Sequence, residues 1–233
     1  MTSNFGPRKK VGILGGTFDP PHIAHLKLAT HFAKLFQLDE LLIIPSGEPW
    51  QKSSHITSAE IRYQLTEAAG IDLARTFLYL QIPSKIGIDR IEIERPGPSY
   101  TIDTVQALRT RYGLDTSLIW LMGADSLIQL HTWDGWKDLL NYVHFAVASR
   151  PKHNIDAEIN PQIAQLVSQS RTNTPADLEK SASGHIYIDE SLAIDLSSTN
   201  LRAELASPTK RDSACEQVPS HTATIISNLG LYQ

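Results

Sequence analysis

Apolar and polar positions along the chain alternate between two rhythms. Val11, Ile13 and Leu14 form a short apolar run closed by Gly15-Gly16, which predicts a buried strand over 10–16. From Pro21 onward Leu26, Leu28, Ala29, Phe32, Ala33 and Phe36 recur at helical spacing. "LLIIP" (41–45) predicts a second buried strand, and "TSAE" (57–60) opens a helix with a capping box that runs to about Ala74. "FLYLQI" (77–82) and the alternating "RIEIE" (90–94) predict further strands, followed by a helix over 99–113 with a glycine stop. "SLIWLMG" (117–123) and "VHFAVAS" (143–149) are again strand-like, with "WDGWKDLL" helical between them. Strands that are apolar throughout and alternate with helices predict an α/β fold with a doubly wound, mainly parallel sheet covered on both faces.

The rhythm breaks at 151–184. One helix, "AEINPQIAQLVSQ", precedes "RTNTPADLEKSASG", whose composition predicts a mobile loop. After it come a short strand, "HIYIDE", a helix start at "SSTNLRAEL" and a closing helix in "QVPSHTATIISNLGLYQ". The expected organisation is one domain: a main part over 8–150, a variable insert over 151–184, and a C-terminal strand and helices over 185–233.

Composition narrows the function classes. The 233 residues are 41% hydrophobic and 20% charged, ordinary globular material. A formal charge of −4 gives no basic footprint, which disfavours nucleic acid as a partner. One cysteine, Cys215, excludes an internal disulfide and fits a reducing compartment. No apolar leader or membrane-length run is visible, so the expected location is the cytoplasm and no membrane partner is expected. A homo-oligomer is left open.

The candidate chemistry sits at the first strand–helix junction, "GILGGTFDPPHIAHL" (12–26). Strand, glycine turn and helix is a layout that binds phosphate, because free N–H groups and the positive helix end face the crevice. Two glycines after a strand also occur in α/β proteins that bind no nucleotide. The dinucleotide fingerprint G-x-G-x-x-G is absent, as is the lysine of a P-loop. His22 and His25, three residues apart at the helix mouth, point at the same crevice. Zinc is the competing reading of such a pair, but no cysteine or third histidine stands at matching spacing, and catalytic zinc usually takes three protein ligands. Near the far end, Ser197, Ser198 and Thr199 are good helix caps, and Arg202 follows by one turn, which makes a second candidate anion site.

"GGTFDPPHIAH" resembles the signature of the nucleotidyltransferase superfamily, Thr/His-x-Gly-His preceded by Gly-x-Phe-Asp-Pro, with Ala24 where that signature has glycine. "IIPSGEPWQK", "RPGPSYTIDTV", "LMGADSL", "HTWDGW", "ASRP" and "LGLYQ" narrow the resemblance to bacterial nicotinate-nucleotide adenylyltransferases, over nearly the whole chain and weakest at 152–184. The resemblance implies a Rossmann-like fold with a small C-terminal helical portion. It implies adenylyl transfer from ATP to nicotinate mononucleotide, with Mg²⁺ bridging phosphates and no protein metal site. By the same resemblance, His22, His25 and Arg202 act on the phosphates. Gly15, Gly16, Thr17, Phe18, Gly123, Asp125, Ser198 and Thr199 hold ATP. Lys52, Tyr100, Thr101, Trp133 and Arg150 hold the mononucleotide. Other phosphorylated acceptors, nicotinamide mononucleotide among them, remain open at this point, as does a non-catalytic nucleotide sensor suggested by Ala24.

Overall fold

The computed structural model describes residues 8–50, 56–149, 155–192 and 198–233. In chain order the elements are β1 (Lys10–Gly16), α1 (Ile23–Phe36), β2 (Glu40–Pro45), α2 (Ala59–Tyr79), β3 (Lys85–Ile88), α3 (Ile91–Glu94), α4 (Thr101–Tyr112), β4 (Ser117–Gly123) and α5 (Ala124–Ile128). After two 3₁₀ turns come β5 (His144–Ala148), α6 (Ile155–Glu158), α7 (Pro161–Ser170), β6 (Arg171–Thr172), α8 (Asp177–Lys180), β7 (Ile186–Asp189), α9 (Ser198–Leu205), α10 (Arg211–Cys215) and α11 (Ser220–Asn228).

The strands form one sheet in the order β3-β2-β1-β4-β5-β7-β6, and every pairing is parallel. The period of two along each strand divides the core. On β4, Leu118, Trp120 and Met122 join a cluster with Ile102, Val105 and Leu108 of α4. Their neighbours Ile119 and Leu121 join Phe32 and Phe36 of α1 on the other face. A third, smaller core between α2 and α9–α11 gathers Leu65, Leu201, Leu205, Val218 and Ile226. The chain leaves β1 outward through β2 and β3, then returns to β4 on the opposite side, so a crevice opens at the carboxyl ends of β1 and β4. Among the described residues no helix is long and apolar enough to cross a membrane.

Four local expectations are corrected. The run 77–82 is not a strand but the end of α2: Phe77 continues the buried row of Leu65 and Leu73, while Leu78 and Tyr79 are 81% and 86% exposed. The helix ends in a Schellman motif, with Ile82 N–H donating to Phe77 O and Gln81 N–H to Leu78 O. Gln81 takes the left-handed position (φ 56°) where a glycine would have signalled the stop. The alternating 90–94 is also helical, because the Asp89 carboxylate accepts the Ile91 N–H and starts a turn that buries Glu92.

The stretch 171–184 is structured. It contributes the edge strand β6 and the helix α8, whose Leu178 is buried. Its carbonyls are held from a distance: Ser117 Oγ donates to Leu178 O, Arg109 to Ala182 O, and the His144 ring bonds Ser181 O. The helix expected over 157–169 is two helices, with Asn160 capping α7 through the Ile163 N–H and Pro161 in its first turn.

Gly15 stands where a Cβ would meet the Trp120 ring at 2.5 Å, whereas a Cβ on Gly123 would touch nothing within 4 Å. Gly15→Ala is expected to lower stability by about 1–3 kcal/mol in urea titrations, and Gly123→Ala to leave it unchanged or slightly raised. His144 is fully buried, and burial lowers its pKa to about 4. Below about 6.5 the unfolded chain therefore binds a proton that the folded chain refuses, and stability falls as pH drops from 6.5 toward 4. The contribution is on the order of 3 kcal/mol. His144→Asn is expected to reduce that slope, to which the buried His22 and His25 also contribute, in urea midpoints measured across the range.

Candidate active site

The crevice holds a cleft of about 270 Å³. The carboxyl end of β1 lines it, and there the absence of a side chain on Gly15 lets the indole of Trp120 approach the backbone closely. Beyond Thr17 the chain turns sharply. Phe18 adopts φ 51°, a conformation that costs a non-glycine residue roughly 1–2 kcal/mol, and buries its ring against His25 at 5.0 Å. The Asp19–Pro20 peptide is cis, and Asp19 is completely buried.

Asp19 is the meeting point of the site. Its carboxylate accepts the Tyr232 hydroxyl at 2.5 Å and the Thr57 N–H at 3.2 Å. Its carbonyl accepts Arg202 Nη1 at 2.8 Å. The two candidate anion elements of the sequence, the glycine turn and the start of α9, are thus fastened together. Arg202 lies beside Thr199 (3.5 Å), Ser198 is half-buried and Thr199 is exposed, all flanking the cleft and not lining it.

The two histidines stack at 3.8 Å between centroids with 25° between planes. His22 is the N-cap of α1, and its backbone N–H donates to His25 Nδ1 at 3.1 Å. Burial lowers the pKa of His22 to about 4 and that of His25 well below the ordinary value, the neighbouring His22 adding to the latter. Both are neutral at pH 7. Since His25 Nδ1 accepts a hydrogen bond, the neutral ring carries its proton on Nε2, and His25 reaches the cleft as a donor. His22 lies behind it, and its buried Nδ1 has no partner among the described residues. Among those residues no group of three or more His, Cys, Asp or Glu is arranged to hold a metal.

Gly16, Thr17, Gly123, Tyr100, Thr101 and Trp133 all line the cleft with Gly15 and His25. Tyr100 and Thr101 stand at the start of α4, which no side chain caps. Trp133 sits edge-on to Trp120 at 6.5 Å, and Trp50 lies 5.8 Å from Tyr100. Phe18 supports the wall from within the core, and Asp125 is exposed on α5, where its neighbour Ser126 lines the cleft in its stead. Lys52, Arg150 and Ser197 lie outside the described residues. Ala24 is 5% exposed and absent from the cleft wall, so its methyl does not crowd the cavity.

Several residues were not foreseen. Arg62 looks like any charged residue of a helix, yet it is fully buried and reaches loops around the cleft. Glu92, hidden in a pattern that reads as a strand, lines the cleft with its carboxyl held by Thr104 at 2.7 Å and its pKa raised by burial. Ser99 accepts the N–H groups of Gly47 and Glu48. Only Asp19, inside the quoted Asp-Pro-Pro, carried a visible signal.

Residues 13–204 match the cytidylyltransferase-like family. A protein of Herminiimonas arsenicoxydans, named "Probable nicotinate-nucleotide adenylyltransferase", is 39% identical over 84% of this chain and 85% of its own length. One of Aeromonas salmonicida with the same name is 36% identical over 96% of this chain and 97% of its own. In fold, the chain is similar to the Plasmodium falciparum nicotinic acid mononucleotide adenylyltransferase solved with NaAD, at a TM-score of 0.68 and 17% identity over 96% of this chain and 97% of that one. With a family model matching residues 13–204 and relatives that carry one name over most of their length, the chain belongs to the cytidylyltransferase-like family, among its nicotinate-nucleotide adenylyltransferases.

Proposed function

We propose that this chain, as one nucleotidyltransferase domain, transfers the adenylyl group of ATP to nicotinate mononucleotide, giving nicotinate adenine dinucleotide and pyrophosphate in NAD biosynthesis. The observation that carries the reading is the Arg202–Asp19 bond, which joins two candidate anion-binding elements beside a cleft that the uncapped start of α4 also lines. A phosphate oxygen of the mononucleotide attacks the α-phosphorus of ATP. The bond from that phosphorus to the bridging oxygen breaks, and pyrophosphate leaves with its electron pair. A phosphate monoester is already anionic at pH 7, so no general base is needed, which agrees with two histidines held neutral.

The protein's task is alignment of two polyanions and stabilisation of the charge that develops between them. His25 donates from Nε2 to the α-phosphate, and His22 supports it from behind through ring stacking and its backbone N–H. Gly15, Gly16, Thr17 and Gly123 leave room for the nucleotides, with Phe18 supporting the turn. Asp125 takes the ribose hydroxyls, and Ser198, Thr199 and Arg202 take the triphosphate tail. Trp133 stacks on the pyridine ring, while Tyr100, Thr101 and the first amides of α4 receive its carboxylate. Lys52 and Arg150 complete the set at the mononucleotide phosphate. A divalent cation, Mg²⁺ in this reading, would be held by the substrates' phosphates and not by protein side chains, and would neutralise part of their charge. The position of Ala24 off the cleft wall removes the steric motive for a silent sensor.

Pyrophosphate release from Mg-ATP and nicotinate mononucleotide is expected, with a higher kcat/KM than for nicotinamide mononucleotide; no release at high protein concentration would overturn the reading. His25→Ala and His22→Ala are each expected to lower kcat about 10²–10³-fold in steady-state kinetics. Full turnover in both variants would show that the histidines play no part in the transition state.

A further inference from the structure

We infer that Arg62 is a positioning residue that sets the relative placement of the two substrates in adenylyl transfer; the inference rests on the function proposed above. Arg62 belongs to the first turns of α2, just past the capping box at 57–60 and outside the phosphate motifs of the sequence, and is 1% exposed. All three nitrogens of its guanidinium donate to backbone carbonyls, one in the turn after β1 and two in the connection between β2 and α2. Nη1 donates to Thr17 O at 2.8 Å, Nη2 to Gly47 O at 2.7 Å and Nε to Thr57 O at 2.9 Å.

These loops stand on different sides of the reaction. Thr17 belongs to the turn after β1, which carries the phosphate-facing glycines and leads into the histidine pair. Gly47 follows β2 in the segment that supplies Ser46, Pro49 and Trp50 to the cleft. That second loop is held from its far side as well. Ser99 Oγ accepts both the Gly47 and Glu48 N–H groups, and a Cβ on Gly47 would lie 2.1 Å from Glu92 O. Arg62 and Ser99 therefore clamp the 46–50 loop between them, and Arg62 carries that clamp across to Thr17 beside the bonds that Ser46 makes through its N–H and hydroxyl to Gly16 O.

A planar fork is required for this task. Lysine would retain the charge but place one ammonium group where three divergent donors are needed. The acceptors are carbonyls, not carboxylates, so the side chain does not form an ion pair by hydrogen bonding; it fixes backbone. Transfer between two separately bound polyanions depends on the reacting oxygen and phosphorus being held in line, and displacement by about 1 Å can cost on the order of 10²-fold in rate.

The test is Arg62→Lys in the full chain, with kcat measured per folded protein and the dissociation constants of ATP and of nicotinate mononucleotide measured separately by calorimetry. A positioning role predicts a fall in kcat of about 10- to 100-fold, with each substrate alone binding within about threefold of wild type. A merely structural arginine would lower the melting temperature and leave kcat of the folded fraction intact, which would overturn the inference. So would weakened binding of both substrates with unchanged kcat. Should Arg62→Lys not fold, Ser99→Ala releases the same loop from its other side and must show the same split; wild-type kcat there would refute the clamp. An inactive wild-type chain would instead remove the proposed function, and the two failures are thereby distinguished.

Discussion

The buried carboxylate of Asp19 is the constraint on which the remainder of the site depends. A carboxylate removed from water costs several kcal/mol unless its oxygens are satisfied. Here one oxygen takes the Tyr232 hydroxyl and the other the Thr57 amide, with Arg202 3.9 Å away. Burial, reinforced by the bond to Asp19, pushes the Tyr232 pKa up and keeps that hydroxyl a donor. Each partner arrives on a different piece of the fold: the start of α2, the helix α9 and the segment after α11. Satisfying one side chain therefore assembles three walls around the turn that precedes His22.

That assembly also explains the electrostatics. The same packing that buries Asp19 removes water from His22 and His25 and holds them neutral. Neutral imidazoles with a fixed tautomer are hydrogen-bond donors whose charge does not have to be lost or gained as phosphate oxygens approach. The strain at Phe18 belongs to the same economy of space, since its ring forms the edge against which His25 is set.

How much of this was legible in the sequence varies with the range of the forces involved. Buried parallel strands announce themselves, because a strand covered on both faces must be apolar throughout, as "LLIIP" and "SLIWLMG" are. The histidine pair and the glycine turn were legible because a local motif places them on one short segment. The failures are cases in which a distant partner, or a stop or cap made by an unexpected residue, decides a local conformation. The stretch 171–184 reads as a loop until donors from β4, β5 and α4 satisfy its carbonyls. Residues 77–82 read as a strand because Gln81, not glycine, occupies the left-handed stop. Arg62 was invisible since its three acceptors are main-chain oxygens, which leave no trace in side-chain pattern.

The bond between Tyr232 and Asp19 spans 213 positions of chain. A polypeptide emerging from the ribosome exposes the glycine turn and both histidines early, yet cannot satisfy the carboxylate between them until residue 232 is free to dock. A partly synthesised chain thus holds the recognisable motif without a finished binding surface. The turn that carries the histidines is finished by a segment more than two hundred positions away, and the two must meet before the site is complete.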